Sequence, residues 1–160
     1  QKIFSRIRQI HKVKEVEDTA VAILEYKNEN KIGLIEMTNA IRPKNLEGSI
    51  SVLGTKGSVV VGGMSANKLV SWKINNVSQK KEENILKDFN SPDYTSHYKF
   101  YDYVVKTLNK KTNKNFLNAE EGIKSLKLIN SIYASSKSKK ILEIKKVKDT
   151  FLGTNIKKIF

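Results

Sequence analysis

Apolar and polar positions alternate most densely between Asp18 and Gly63, in DTAVAILEYKNENKIGLIEMTNAIRPKNLEGSISVLGTKGSVVVGG. Four β-rich runs sit there, over residues 19–26, 31–41, 49–53 and 58–61, each bounded by Asn, Gly or Pro, the residues that supply turn geometry. Residues 20–24 are apolar on both alternating faces, which predicts a strand buried on both sides. Gly54-Thr55-Lys56-Gly57 places two glycines around two polar residues between β-branched runs, a hairpin signal. A sheet is therefore the expected core, with the other segments extending or covering it.

The flanks are read the same way. Ile3, Ser5, Ile7 and Gln9 alternate with Phe4, Arg6, Arg8 and Ile10, an edge or near-edge strand whose charges discourage unwanted pairing. His11 follows in a polar connection, with no Asp, Ser or Cys spaced to activate it, and reads as a surface residue. Asn28-Glu29-Asn30 is a turn, and Pro43 interrupts the sheet pattern because it lacks a ladder donor. In the strand over residues 69–74, Val70, Trp72 and Ile74 share a face. Residues 75–90 read as a long loop or a short irregular helix.

Two amphipathic helices follow. Ser91-Pro92-Asp93 carries the N-cap, first-turn proline and acid of a helix start, and Tyr98, Tyr101, Val105 and Leu108 form one stripe over residues 92–109. Residues 109–115 read as a Lys/Asn loop. Asn118 with Glu121 resembles a capping box for a helix over 119–135, whose stripe is Ile123, Leu126, Ile129 and Tyr133 with Ile132 beside them. Ser135–Ser138 ends it, residues 140–144 read as a last strand, and residues 145–160 as a basic tail with scattered apolar positions.

At 160 residues a single domain, residues 1–160, is the expectation. The chain opens at Gln1 directly into a strand, which reads as a fragment of something longer. Cysteine is absent, which fits a cytoplasmic protein. No apolar run approaches the roughly 18 residues of a membrane span. The net charge of +14 invites a nucleic-acid reading, but arginine occurs only at Arg6, Arg8 and Arg42. Phosphate and base-edge recognition favours the arginine fork, so scattered lysines read as a solvated surface rather than a specific nucleic-acid site.

Catalytic chemistry is missing from the pattern. There is no G-x-G-x-x-G after a strand, no G-x-x-x-x-G-K-[ST] and no G-x-S-x-G. Two histidines without cysteine, and without close carboxylate spacing, do not make a transition-metal site. The residues alone describe a binding or assembly domain.

Several strings, in order, resemble one family: EDTAVAILEY (17–26), NLEGSISVLGTKGSVVVGG (45–63), the N-x-L-x-x-W of Asn67, Leu69 and Trp72, HYKFYDYV (97–104) and EEGIKSLKLINSIYAS (120–135). The chain resembles the C-terminal domain of the Gfo/Idh/MocA oxidoreductases, and within them the UDP-N-acetylglucosamine and UDP-N-acetylglucosaminuronate 3-dehydrogenases of surface-polysaccharide (lipopolysaccharide) biosynthesis. The resemblance implies an α+β fold of the dihydrodipicolinate-reductase-like C-terminal type: an open mixed, largely antiparallel sheet with helices on one face. It implies a parent whose separate Rossmann domain binds NAD(P), while this fragment carries no cofactor and is not catalytic alone. It also implies one wall of the substrate cleft, and a homo-oligomer formed through the open sheet face.

Candidate substrate contacts are Arg42, whose fork suits a diphosphate or uronate carboxylate, Asn45 and Asn67 for sugar or uracil groups, and His97 in the family-like H-x-x-x-Y string. Each also has an ordinary reading, as surface charge, turn former or capping residue. A basic nucleic-acid module and a ligand-free assembly domain remain the alternatives.

Overall fold

The computed structural model describes residues 1–11, 16–27, 30–90, 96–109 and 118–147. These form seven strands, three α-helices and a 3-10 turn, an α+β chain in which every described strand pairing is antiparallel. The strands divide between two sheets, and the chain divides into two compact units, Gln1–Ile41 with Lys114–Phe160, and Arg42–Asn113. The proposed helix start at 91–93, the loop at 110–115, most of the turn at 28–30 and the tail from 148 lie outside the described residues.

The first unit holds the sheet β3-β2-β1-β7, from β1 (Lys2–Arg8), β2 (Thr19–Tyr26), β3 (Lys31–Thr38) and a short β7 (Leu142–Glu143). β1 is near an edge, as its pattern predicts, with β7 beside only Lys2 and Ile3. Ile3, Ser5 and Ile7 alternate into the core beside Ala20, Ala22 and Leu24. Expected burial on both sides of β2 does not hold within this chain: Val21 and Ile23 are 40% and 49% exposed. They share an open face with Phe4, Ile32 and Leu34. Ile35 points the other way and packs on the core.

One helix, α3 (Ala119–Ser138), covers the inner face. Asn118 caps it as expected, its Oδ1 accepting from Glu121 N at 2.8 Å. The helix does not stop at the serines. Ser131 and Ser135 lie within it, fully buried, because small side chains one turn apart let it approach β1 closely. Ser5 N donates to Ser135 Oγ (3.1 Å), Ile7 N to Ser136 Oγ (2.9 Å), and Ser5 Oγ to the Ile132 carbonyl (2.6 Å). The helix hydroxyls thus satisfy strand donors beyond the end of β7. The predicted stripe shifts accordingly: Ile132, Leu128 and Tyr133 pack on the core, while Ile123, Leu126 and Ile129 are exposed.

The second unit holds the sheet β4-β5-β6, from β4 (Ile50–Gly54), β5 (Gly57–Gly62) and β6 (Lys68–Ile74). The 54–57 hairpin is present, and Gly57 is required there: a Cβ would fall 2.2 Å from the Lys73 carbonyl oxygen. A bulge skips Val70, so Leu69 rather than Val70 shares the face of Trp72 and Ile74. Residues 79–90 are neither loop nor irregular. They form a regular helix, α1 (Gln79–Asn90), which packs on β6. Asn90 then closes the edge strand like a paired residue, accepting from Leu69 N and donating to Leu69 O, both at 2.9 Å. The described part of the next helix, α2 (Ser96–Leu108), leaves its predicted stripe of Tyr98, Tyr101, Val105 and Leu108 exposed. Within the first unit, α3 is the described helix that covers the four-stranded sheet.

Candidate functional site

The 54–57 hairpin places the segments on either side of β4–β5 at one end of the three-stranded sheet. These are residues 42–49 before β4 and residues 63–67 between β5 and β6. Gly48 N donates to the Gly63 carbonyl at 2.8 Å and joins the two segments. Gly63 has φ 91°, a left-handed conformation, and a Cβ there would lie 2.7 Å from Asn67 Oδ1. Glycine at 63 therefore makes room for the Asn67 side chain.

Arg42, Asn45 and Asn67 lie on these two segments and are exposed. His97 does not belong to the pair of loops. It is the second residue of α2, with its ring exposed. The loops also carry two cations that sequence reasoning left out, Lys44 and, next to Asn67, Lys68, both exposed. The signal for Lys68 was its position directly after Asn67, at the start of β6 opposite Gly62. The two loops thus carry three cations and two amides, with Glu47 among them, side chains of the kinds that bind anionic and hydroxyl-rich ligands. Among the described residues no group of three His, Cys, Asp or Glu is arranged to hold a metal ion.

The opposite end of this sheet holds a cavity of about 460 Å³ around the 54–57 turn. Its charged groups are spent on each other, Lys73 and Glu82 pairing at 2.5 Å. It reads as the seam between α1 and β6.

A polar knot at the end of the four-stranded sheet escaped the sequence reading. Asp18 is 4% exposed, yet its carboxylate accepts from Ile10 N (2.9 Å) and His11 N (2.8 Å). Those two backbone bonds, ahead of Thr19 and the neighbouring His11, hold its pKa below the ordinary aspartate value. His11, expected at the surface, is half-buried, with Nε2 3.2 Å from the Ala40 carbonyl. The string EDT contained the hint, an acid immediately before a buried strand, but its partners come from three segments.

The profile of the oxidoreductase family's C-terminal α/β domain, Gfo/Idh/MocA, matches residues 5–145. The chain belongs to this family. Two solved structures are similar to it. The WlbA dehydrogenase from Bordetella pertussis, in complex with NADH and UDP-GlcNAcA, is 30% identical with a TM-score of 0.75, over 89% of this chain and 41% of that one. The WlbA dehydrogenase from Chromobacterium violaceum, also with NADH and UDP-GlcNAcA, is 30% identical with a TM-score of 0.74, over 89% of this chain and 39% of that one. No curated protein matches the chain. The chain thus spans about two-fifths of the length of these WlbA structures. The family match agrees with the strings that carried the resemblance, all of which fall within its bounds. Among the described residues no helix is long and apolar enough to cross a membrane.

Proposed function

We propose that the chain is the substrate-binding and oligomerisation domain of an NAD(P)-dependent sugar-nucleotide oxidoreductase of surface-polysaccharide synthesis. The observation that carries this is the 30% identity, over 89% of the chain, to a dehydrogenase solved with both NADH and a UDP-sugar. In this reading the two compact units serve one domain, and the cofactor sits in a separate dinucleotide-binding half. Hydride passes between the nicotinamide and a sugar carbon, and this chain contributes a wall of the cleft. Arg42, with Lys44 and Lys68 near by in the same loops, meets the diphosphate or the uronate carboxylate. Asn45 and Asn67 meet sugar or uracil groups, and His97 is a further contact from α2. A second copy covers the open face of the four-stranded sheet. The cytoplasm, which supplies the activated sugar and the nicotinamide, is the compartment of the parent.

The test is to express the chain in one polypeptide with its dinucleotide-binding half and follow NADH absorbance with NAD and UDP-GlcNAcA. The expected result is NADH formation that requires the UDP-sugar, and none from the chain alone. A folded two-domain protein that neither turns over nor binds a UDP-sugar contradicts the reading.

A further inference from the structure

We infer that the second copy packs on the four-stranded sheet about a twofold axis running along β2, which sets Arg6 against Glu36 of the partner subunit and Leu34 over a hollow beside the partner's Phe4. The inference rests on the function proposed above, in which a second copy covers this face.

The strand register lays the outward side chains out as a grid. Across β1, β2 and β3 the rows are Arg6, Val21 and Glu36; Phe4, Ile23 and Leu34; Lys2, Glu25 and Ile32. Arg8 extends the β1 column, with Thr19 and Thr38 beside it. Rows lie about 6.7 Å apart along the strands, and columns about 4.8 Å apart. The β1 column is thus cationic except for Phe4, while β3 sets Glu36 beside Leu34 and Ile32. Arg6 is held by its stack on Phe4 at 4.4 Å, and its Nη1 donates to the Ser5 carbonyl at 2.9 Å. Among the described residues neither Arg6 nor Glu36 forms an ion pair within the chain.

Two identical faces packed front to front are related by a twofold axis lying between them, parallel to both sheets. Its direction decides which column meets which. An axis across the strands stacks β1 on β1, cations against cations, and lays Glu36 on the apolar residues of β3. Opposed like charges disfavour that arrangement. A diagonal axis through Ile23, which makes the sheets orthogonal, sets either Arg6 or Glu36 on its own counterpart. An axis along β2 keeps the sheets aligned, to within about 30°. It stacks β1 on β3 twice over, so each Arg6 faces a Glu36. Val21 and Ile23 meet their counterparts on the axis. Glu25 does so too, but each Glu25 has its own Lys2 at 3.7 Å.

Shape selects the same direction. A hollow of about 310 Å³ is lined by Lys2, Ile3, Phe4, Ile23, Glu25 and Ile141. Stacking β1 on β3 brings Leu34 and Ile32, which are 69% and 78% exposed, over the partner's hollow. Stacking β1 on β1 would bring cations to it instead.

The experiment is sedimentation velocity of the 160-residue chain, of R6E, of E36R, of their equimolar mixture and of R6E/E36R. The expected result is that R6E and E36R each self-associate at least about tenfold more weakly than the parent, because each dimer then opposes like charges twice. The mixture associates at least about tenfold more tightly than either variant alone, since both contacts join opposite charges between the two different copies. R6E/E36R regains self-association. A contact inside one chain cannot produce the gain on mixing. A mixture no tighter than its components overturns the register, as does either variant associating like the parent. If R6E does not fold, E36R against E36Q decides: reversal must weaken association more than neutralisation, and equal effects overturn the register. A monomeric parent overturns the second copy of the proposed function and the register with it. A dimeric parent whose variants ignore charge reversal overturns the register alone.

Discussion

On one face of the four-stranded sheet Ile3, Ser5, Ala20, Ala22 and Leu24 are buried under α3; on the other, Phe4, Val21, Ile23, Ile32 and Leu34 face outward. The same three strands build both faces, and the second is hardly less apolar than the first. The inner face interlocks through serine hydroxyls as well as aliphatic packing. The outer face keeps its charges around the apolar centre, with Arg6 stacked 4.4 Å over Phe4 and Lys2 beside Glu25 at 3.7 Å. An apolar centre with a charged margin is the composition of an association surface rather than of a solvated one. The face teaches how a pattern can be right about apolarity and still leave open who provides the cover.

The two faces should respond differently to substitution. The largest loss is expected from Ile132→Ala, which empties part of the covered face and costs about 2–5 kcal/mol. Ser135→Ala should cost about 1–3 kcal/mol, since the Ser5 amide loses its acceptor in a buried place. Urea unfolding of each variant measures both, and a Ser135 variant as stable as the parent would show that the serine interlock is not what holds the inner face.

A smaller, pH-dependent contribution belongs to Asp18, the buried residue just before β2. Its folded pKa lies below the ordinary value, so its stabilisation is fully present above the unfolded aspartate range and fades as pH falls through the lowered folded value. Melting temperatures on the acid side should therefore fall less steeply in D18N than in the parent.

Much of this was legible from alternation alone: β2, the 54–57 hairpin and the Asn118 cap depend on neighbours in the chain. The placement of Asn45 and Asn67 at one end of a sheet was implicit too, because they flank a hairpin. What was not legible depends on distant partners. Helix α1 has only Ile85, Leu86 and Phe89 to mark its inner side, and Glu82 joins the packing through Lys73 on β6. Ser135–Ser138 read as the end of the helix because buried serines look polar until β1 offers them partners. The Val70 bulge moves a residue across a face without any sign in the period. Alternation in β3 sets Ile32 and Leu34 on one face and Ile35 and Met37 on the other without showing which is covered; Ile35 packs on the core and Met37, opposite Ala20, shares its side.

The outward residue to charge is Leu34, which is 69% exposed and sits opposite Ile23. Within one copy, Leu34→Asp should change stability by no more than about 0.5 kcal/mol. Between copies, it would bury an unpaired carboxylate at the centre of the contact. Sedimentation velocity of the chain and of this variant, at equal micromolar concentrations, is the direct test. The account predicts a dimer or larger even assembly for the parent chain and a folded monomer for Leu34→Asp. A parent chain that sediments as a well-behaved monomer at high micromolar concentration would contradict it.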